Sequence, residues 1–245
     1  MGHQFDRIAI LFGDDYLNKL KNKKVAIFGV GGVGGYVCEG LARSGISNFV
    51  LVDADDVDET NLNRQIISTV DNIGLDKVDV MKQRILSINP EANVEIHKCF
   101  YLPENSNDFD FSSYDYVVDA VDTVSAKISI ITKAKEASKP VISAMGAGNK
   151  LDPTKLIVCD ISKTDTDPLS RTMRYELRKR GVKGVKVVYS KELPIEVEKK
   201  IASEESGKVI PGSMMFVPAT MGIIMAKEII NDLIKEKGVD LWSIY

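Results

Sequence analysis

The segment 23–53 constrains the fold of this chain most strongly, because it joins a strand, a glycine-rich turn, a helix and a second strand. The apolar run 25–28 leads directly into Gly29-Val30-Gly31-Gly32-Val33-Gly34, and the next apolar run, 49–52, ends on Asp53. Glycines allow the backbone to approach phosphate oxygens closely, and the turn leads to a helix N-terminus, which favours anions. This order predicts a nucleotide site in which Asp53 accepts hydrogen bonds from ribose hydroxyls. A tight turn that serves packing alone is the competing interpretation.

The composition is that of an ordinary soluble protein without a general affinity for nucleic acid. The chain has 245 residues, of which 44% are hydrophobic and 27% charged, and its net charge is −3. That length suffices for one α/β domain with a full core, or for two small domains. Because the chain is slightly acidic, any contact with RNA must come from a local basic patch.

The three cysteines, Cys38, Cys99 and Cys159, lie far apart in the sequence. The absence of a CxxC pair argues against a structural zinc site, and the cysteine pattern is typical of a reducing cytoplasm. Segment 1–24 is charged and lacks the apolar centre of a signal peptide. We therefore expect a cytoplasmic protein.

One uncharged stretch, 209–226, resembles a membrane span in length. Pro211 and Pro218 interrupt it, and charged residues follow it. A spanning helix needs about 20 predominantly apolar residues. We interpret the stretch as a loop that leads into a buried helix over 221–234 and expect no stable membrane insertion. Membrane association is the less favoured alternative.

Strand and helix patterns alternate through the first 150 residues. Beyond the opening segment, the predicted helices and strands are 76–88, 94–97, 116–118, 124–138 and 140–144. Alternation of this kind requires a mostly parallel sheet that helices cover on both faces. We therefore predict a Rossmann-like, doubly wound α/β fold.

The pattern changes after residue 150. Predicted strands over 156–159 and 185–189 flank a predicted helix over 168–180. We interpret 151–245 as a C-terminal α+β extension of a single domain, whose nucleotide-binding core is 1–150.

Polar side chains follow the predicted strands, at the sheet edge where open α/β folds bind ligands. The loop 54–65 comes directly after Asp53 and contains Asp55, Asn61 and Arg64. Carboxylates suit Mg²⁺, whereas Asn and Arg suit phosphate. The sequence therefore predicts a metal–nucleotide ligand here, although the composition of the loop is equally compatible with a solvated charged loop.

The ligand is either a dinucleotide or ATP. A hydride-transfer site needs a Tyr-x-x-x-Lys pair or a poised histidine, and neither His3 nor His97 is well placed. ATP needs cations for its phosphates and a carboxylate for its metal, which Arg64, Lys77 and Asp122 supply at successive strand ends. Lys77 also lies in a first helical turn, where a cation is disfavoured unless an anion is present. These residues favour ATP, although a solvated lysine explains Lys77 as well.

The predicted helix 168–180 is strongly basic within an acidic chain. Its basic residues are Arg171, Arg174, Arg178, Lys179 and Arg180, and within the helix only Glu176 offsets them. The helix is therefore a candidate surface for a polyanion, and a solvated charged face is the alternative.

The motifs together resemble a known family. The glycine turn, Asp53, Asn61-Leu62-Asn63-Arg64-Gln65, Lys77 and Asp119-Ala120-Val121-Asp122 are similar in identity and spacing to the ThiF/MoeB/HesA superfamily, the adenylate-forming relatives of ubiquitin-activating enzymes. Further stretches resemble the tRNA threonylcarbamoyladenosine dehydratase (TcdA/CsdL) branch, namely 167–171, 178–181, 186–190, 212–213 and 216–218. The absence of paired CxxC motifs also favours this branch.

The resemblance implies a role for each matching residue. The nucleotide would be ATP with Mg²⁺, bound by Gly29, Gly31, Gly32, Gly34, Asp53, Asp55, Asn61, Arg64 and Lys77. Asp53 would hold the ribose, Lys77 would lie near the α-phosphate, and Asp122 would coordinate the metal. Arg7 matches an arginine that reaches into the neighbouring subunit's site, which implies a homodimer.

The resemblance also implies the reaction. The carboxylate of threonylcarbamoyladenosine, next to the tRNA anticodon, would be adenylated and would then close a ring with loss of water, releasing AMP and pyrophosphate. The basic helix would bind the tRNA, and a sulfur-transfer protein is a candidate partner. The alternatives are an adenylyltransferase that activates a ubiquitin-like sulfur carrier, and a non-catalytic or NAD-binding Rossmann domain.

Overall fold

The computed structural model describes residues 3–13, 15–198, 201–202 and 209–235. Within these residues the strands are β1 (Lys24–Phe28), β2 (Asn48–Val52), β3 (Asn93–His97), β4 (Tyr116–Asp119), β5 (Val141–Ala144), β6 (Leu156–Asp160) and β7 (Lys186–Ser190). The α-helices are α1 (Asp6–Phe12), α2 (Asp15–Lys21), α3 (Gly34–Arg43), α4 (Lys77–Ile88), α5 (Val124–Glu136), α6 (Pro168–Lys179) and α7 (Phe216–Ile234).

The strands form one sheet in the order β3-β2-β1-β4-β5-β7-β6. Each neighbouring pair is parallel except β6 with β7, which is antiparallel. The strand order reverses direction between β1 and β4. In open α/β sheets the crevice at the carboxyl ends of such a pair is where ligands bind, so the topology places the glycine turn after β1 at that crevice.

Side chains of each strand alternate between the two faces of the sheet. Both faces are therefore apolar, and helices cover both. Val25 and Ile27 of β1 belong to one apolar cluster, which also contains buried residues of α2, α3, α4 and α7. Ala26 and Phe28 belong to the other cluster, with residues of α5 and α6. The predicted Rossmann-like, doubly wound fold is therefore confirmed.

Two glycines allow α7 to lie directly against α3. A Cβ added to Gly40 would lie 2.7 Å from Cβ of Ala226, and one added to Gly222 would lie 2.4 Å from the carbonyl oxygen of Val33. Val33 is the N-cap residue of α3. The last helix of the described chain therefore supports the glycine turn from behind.

The C-terminal extension differs in two details from its sequence pattern. Strands β6 and β7 continue the main sheet. Helix α7 begins at Phe216 rather than near residue 221, because Pro218 lies in the first turn, where its missing N–H has no helical partner to lose. The boundary at residue 150 stays a prediction.

None of the helices in the described ranges is both long and apolar enough to span a membrane.

Candidate active site

The glycine turn is shaped by close backbone contacts that exclude side chains. Gly29 has a φ of +91°, and a Cβ added to it would lie 2.6 Å from the carbonyl oxygen of Ala120. A Cβ on Gly34 would lie 1.8 Å from the carbonyl oxygen of Gly29. These two glycines therefore fix the turn against the end of β4 and against the start of α3.

Gly31 and Gly32 line a cavity of about 450 Å³ together with Gly29, and unlike Gly29 they have space for a side chain. A Cβ on Gly31 would come no closer than 3.8 Å to another atom, and one on Gly32 no closer than 3.5 Å. In addition, the N-cap of α3 has no side-chain hydrogen bond. The Gly35 and Tyr36 N–H groups donate to backbone carbonyl oxygens, whereas those of Gly31, Gly32 and Gly34 have no acceptor among the described residues and are left for a ligand. The turn thus offers a bare backbone surface of the kind that binds phosphate.

Asp53 braces this turn from the end of β2. Its Oδ2 accepts a hydrogen bond from the Val30 N–H at 2.6 Å, and its Oδ1 accepts one from the Asp55 N–H at 2.9 Å. Burial raises the pKa of Asp53, against the effect of both backbone hydrogen bonds. Each carboxylate oxygen retains further acceptor capacity, so Asp53 fits the ribose role predicted for it.

Lys77 is a buried cation at the rim of the cavity. Its side chain is 6% exposed, and its Nζ lies 2.7 Å from Oδ2 of Asp55, a carboxylate that is half exposed. The Lys77 N–H also donates to the Asp55 carbonyl oxygen at 3.1 Å. This pairing holds the ammonium group beside the cavity despite its unfavourable place in the first turn of α4.

Arg64 and Asn61 belong to one turn. Nη1 of Arg64 donates to the Thr60 carbonyl oxygen at 2.6 Å and to Oδ1 of Asn63 at 2.9 Å. Asn61 is buried, and its Oδ1 accepts from the Asp58 N–H at 3.2 Å. Arg64 therefore faces the cavity as a positioned cation, whereas Asn61 also stabilises the turn that carries Arg64.

Asp122 reaches the cavity from the end of β4, as an exposed carboxylate. A buried network supports the loop before it: Nζ of Lys127 lies 2.9 Å from Oδ2 of Asp119 and donates to the Val121 carbonyl oxygen at 3.0 Å. Ser143 donates to the same Asp119 carboxylate. In the described part of the chain no group of three or more His, Cys, Asp or Glu could hold a metal alone. Since Mg²⁺ is usually bound by one or two carboxylates plus substrate phosphates, the arrangement fits a metal that arrives with the nucleotide.

The segment 210–213 crosses one side of the cavity. The N–H of Asn149 donates to the Gly212 carbonyl oxygen at 2.7 Å, and its Oδ1 accepts from the Gly212 N–H at 2.6 Å. Asn63 donates to the Ser213 carbonyl oxygen at 2.9 Å. Residues 212–213 were matched to the family, but the sequence pattern placed neither this segment nor the apolar residues Phe100 and Leu102 at the nucleotide site.

The basic helix α6 starts beside the cavity. Asp167 caps it by accepting from the Ser170 N–H at 2.8 Å, and it pairs with buried Lys150 at 2.8 Å. Lys150 in turn donates to the Gly146 carbonyl oxygen at 2.7 Å, in the turn that carries cavity residues Ala147 and Gly148. One buried ion pair therefore links the cavity wall to the N-terminus of α6.

The five basic residues of α6 are not equivalent. Arg174 is partly buried and donates to the carbonyl oxygen and Oγ1 of Thr164, both at 2.6 Å. Arg180 pairs with Glu176. Arg171, Arg178 and Lys179 are exposed, and their side chains make no hydrogen bond or ion pair with other described residues. These three form the part of the predicted surface that is open to a polyanion.

Arg7 lies outside the cavity of its own chain, on the exposed side of α1. Ile10 and Leu11 of the same helix are 82% and 75% exposed. The site of a single chain therefore does not include Arg7.

The cysteines show no activated thiol. Burial raises the pKa of Cys38, Cys99 and Cys159, although Cys99 lines the cavity. A thiolate nucleophile requires the opposite shift. None of the three thiols therefore has the lowered pKa of an activated nucleophile.

We expect Gly34→Ala and Gly31→Ala to separate folding from binding. The added methyl at Gly34 overlaps a backbone oxygen, so the variant should lose about 3 kcal/mol of unfolding free energy. The methyl at Gly31 has room and should leave stability unchanged, while it weakens nucleotide binding by occupying the phosphate side of the cavity. Urea unfolding and calorimetric titration with MgATP measure both effects. Equal stability loss in the two variants would contradict the geometry.

A parallel sheet with a glycine turn at its switch point, an acid after β2 and cations at the rim defines a nucleotide-binding α/β protein. The family comparison is more specific. The chain belongs to the ThiF family, whose profile matches residues 5–242.

Individual relatives narrow the comparison. The tRNA threonylcarbamoyladenosine dehydratase of Bacillus subtilis is 45% identical over 245 residues, covering 96% of both chains. The crystal structure of the Escherichia coli tRNA N6-threonylcarbamoyladenosine dehydratase TcdA in complex with ATP has a TM-score of 0.85 at 33% identity, covering 94% of this chain and 93% of that chain. The same enzyme in complex with AMP has a TM-score of 0.85 at 34% identity, covering 94% of each.

Proposed function

We propose that this chain is an ATP-dependent tRNA-modifying enzyme. It adenylates the carboxylate of threonylcarbamoyladenosine next to the anticodon and promotes ring closure with loss of water. The observation that carries the proposal is one cavity at the switch point, in which the bare glycine turn meets Asp53, Arg64, Lys77 and Asp122. Relatives along nearly the whole chain bear the name of this activity.

The cavity supplies the positioning that adenylation needs. The glycine turn binds the phosphates, and Asp53 fixes the ribose. The substrate carboxylate attacks the α-phosphorus, the bond to the bridging oxygen breaks, and pyrophosphate leaves. Lys77 and Arg64 stabilise the negative charge that develops on the phosphate oxygens, which is the main protein contribution to phosphoryl transfer.

Ring closure follows from the reactivity of the acyl-adenylate. A nitrogen or oxygen of the same nucleoside attacks the activated carbonyl carbon, and the nucleoside loses a proton to solvent. The carbonyl carbon–oxygen bond to AMP breaks, and AMP leaves with that oxygen. The net change in the nucleoside is loss of one water, and its oxygen ends in AMP. All three thiols have raised pKa values, in agreement with a route that uses no enzyme thiol.

Magnesium fits the same site. Asp122 would hold it together with the phosphates, and the ion would supply charge neutralisation for the leaving pyrophosphate. The exposed carboxylate of Asp122 and its buried support through Lys127 and Asp119 favour this assignment.

The substrate tRNA binds along α6. The helix is about 18 Å long at 1.5 Å per residue, begins at the cavity wall through Asp167, and presents Arg171, Arg178 and Lys179 to solvent. A tRNA backbone on these three residues would bring its anticodon side towards the cavity.

Neutralising the three open cations should weaken tRNA binding with a distinct salt signature. For Arg171→Gln/Arg178→Gln/Lys179→Gln, we expect the slope of log affinity against log salt to fall by about three, since each phosphate contact contributes about one. Filter binding at several salt concentrations measures this slope. Lys21→Gln/Lys82→Gln/Lys139→Gln is the matched control, with equal charge change on other elements. Equal slopes for both triple variants would contradict the role of α6.

The active unit is a homodimer in which Arg7 completes the neighbouring site. Three features support this proposal: Arg7 is exposed and lies outside its own cavity, while Ile10 and Leu11 on the same helix are unburied in the single chain. A symmetric dimer that buries α1 would cover these apolar side chains. A sulfur-transfer partner stays a prediction from the resemblance, and a cytoplasmic location one from the cysteine pattern.

Complementation tests the shared site. Arg7→Ala and Lys77→Met should each be inactive alone, because each removes a cation from every site. In a random mixture half of the dimers combine both variants and contain one intact site, so about a quarter of wild-type activity should return. Activity assays after unfolding and refolding the mixture together measure it. Failure to recover activity, with both variants dimeric, would contradict a site shared between subunits.

The whole reaction is tested with wild-type protein, MgATP and tRNA that carries threonylcarbamoyladenosine. We expect a nucleoside lighter by one water, with AMP and pyrophosphate formed in equal amounts. A carrier-protein adenylyltransferase would leave the tRNA unchanged. An NAD-binding domain would show a thermal shift with NAD and none with MgATP.

A further inference from the structure

The side-chain oxygen of Gln65 is a buried polar atom without a hydrogen-bond partner among the described residues. Gln65 is 7% exposed, and its Oε1 is completely buried and makes no hydrogen bond within the described chain. Buried polar groups are nearly always hydrogen-bonded, and one that is not requires an explanation. Neither the fold nor the roles assigned to its neighbours provides one.

The amide lies at the cavity, against the glycine turn. Gln65 is one of the cavity-lining residues, and a Cβ added to Gly31 would lie 3.8 Å from Nε2 of Gln65. Gly31 belongs to the part of the glycine turn that lines the cavity. The amide therefore borders the bare backbone surface on which phosphates fit.

The backbone around Gln65 is fixed by the turn that also carries Arg64. The N–H of Gln65 donates to the Asn61 carbonyl oxygen at 3.0 Å, and its carbonyl oxygen accepts from the Ser68 N–H at 3.1 Å. These bonds fix the backbone from which the side chain extends, so the amide approaches the cavity from a defined position before the nucleotide arrives.

We propose that Gln65 is a phosphate-contacting residue of this site, whose amide N–H group donates to a non-bridging oxygen of the bound nucleoside triphosphate. Rotation of the amide by half a turn exchanges its oxygen and nitrogen. The nitrogen can therefore face the phosphates, while the oxygen accepts a hydrogen bond from a water that enters with the ligand. Lys77 and Arg64 bring positive charge to the phosphates, whereas the neutral amide of Gln65 orients a phosphate through a directional hydrogen bond. The inference rests on the ATP binding in the proposed function.

Nucleotides with and without phosphates separate this role from a structural one. Calorimetric titrations measure the affinities of MgATP and adenosine for the wild type, Gln65→Met and Gln65→Glu. For Gln65→Met we expect MgATP to bind about tenfold more weakly, because a hydrogen bond to a charged group is lost, and adenosine to bind within about twofold of the wild type. Gln65→Glu should weaken MgATP further, because it places a carboxylate beside the phosphates. Gln83→Glu, on the exposed side of α4, is the matched control for charge.

Three outcomes would overturn the inference. MgATP affinity within about twofold of the wild type in both Gln65 variants would show that the amide does not contact phosphate. Equal weakening of MgATP and adenosine would show that Gln65 only supports the fold. If Gln65→Met does not fold, Gln65→Asn takes its place, because it keeps the amide but withdraws it from the phosphates. The affinities of MgATP and adenosine are then compared in the same way. Failure of the wild type to bind MgATP would overturn the proposed function as well, whereas the other outcomes leave it intact.

Discussion

Replacing Lys77 with methionine is expected to lower the rate of adenylate formation by about a thousandfold while the protein stays folded. The Lys77 side chain is only 6% exposed at the cavity rim, so water cannot take the place of its charge. Its partner Asp55 is half exposed and can be solvated when the lysine is removed, so the fold should tolerate the change. The loss should fall on kcat more than on KM, because the developing charge is greatest in the transition state.

Pyrophosphate release in a single turnover, with the protein in excess over MgATP and modified tRNA present, measures this rate. Lys82→Met is the matched control, since Lys82 lies in the same helix outside the cavity, and it should retain wild-type activity. An Asp55→Asn variant should show a smaller loss, because it frees the ammonium group without removing it. A Lys77→Met rate within about tenfold of the wild type would contradict a role for Lys77 in the transition state.

Replacing Lys127 with methionine should destabilise the fold by about 3–5 kcal/mol. Lys127 and Asp119 are both fully buried, with 2.9 Å between Nζ and Oδ2. Without the lysine, the Asp119 carboxylate would remain buried with an uncompensated charge. The loop to Asp122 would also lose the hydrogen bond to the Val121 carbonyl oxygen, so weaker metal-dependent ATP binding should accompany the loss of stability.

Urea unfolding monitored by circular dichroism measures the stability change. Lys133→Met on the same helix is the control, because Lys133 makes only an exposed hydrogen bond to Asn107. The double variant Lys127→Met/Asp119→Asn should be less destabilised than the sum of the two single changes, since no unpaired charge remains. A loss below about 1 kcal/mol for Lys127→Met would show that the pair does not stabilise this loop.

The parts of the fold that local sequence determines were predictable. The glycine turn, the strand before it and Asp53 lie within 31 consecutive residues, 23–53, and their chemistry is specified by residue type and spacing. Alternating strands and helices imply a parallel sheet, and the sheet brings the strand ends together. Arg64, Lys77 and Asp122 therefore meet at one cavity although they are distant in sequence.

Features that depend on tertiary partners were not predictable from the pattern. Lys127 has the same sequence appearance as an exposed lysine on an amphipathic helix, and only its position over Asp119 makes it a buried partner. The same holds for Lys150 with Asp167, and for the isolated amide of Gln65. Arg174 was grouped with its basic neighbours, but Thr164, which precedes α6, engages its guanidinium group.

The path of one oxygen atom tests the central claim most directly. The substrate tRNA is prepared with heavy oxygen in the threonylcarbamoyl carboxylate and is incubated with the protein and MgATP, and the products are analysed by mass spectrometry. Attack of the carboxylate on the α-phosphorus, followed by ring closure, predicts one labelled oxygen in AMP and one in the cyclised nucleoside. Label found in inorganic phosphate with ADP as the other product, or AMP that contains no label, would contradict an acyl-adenylate formed in this cavity.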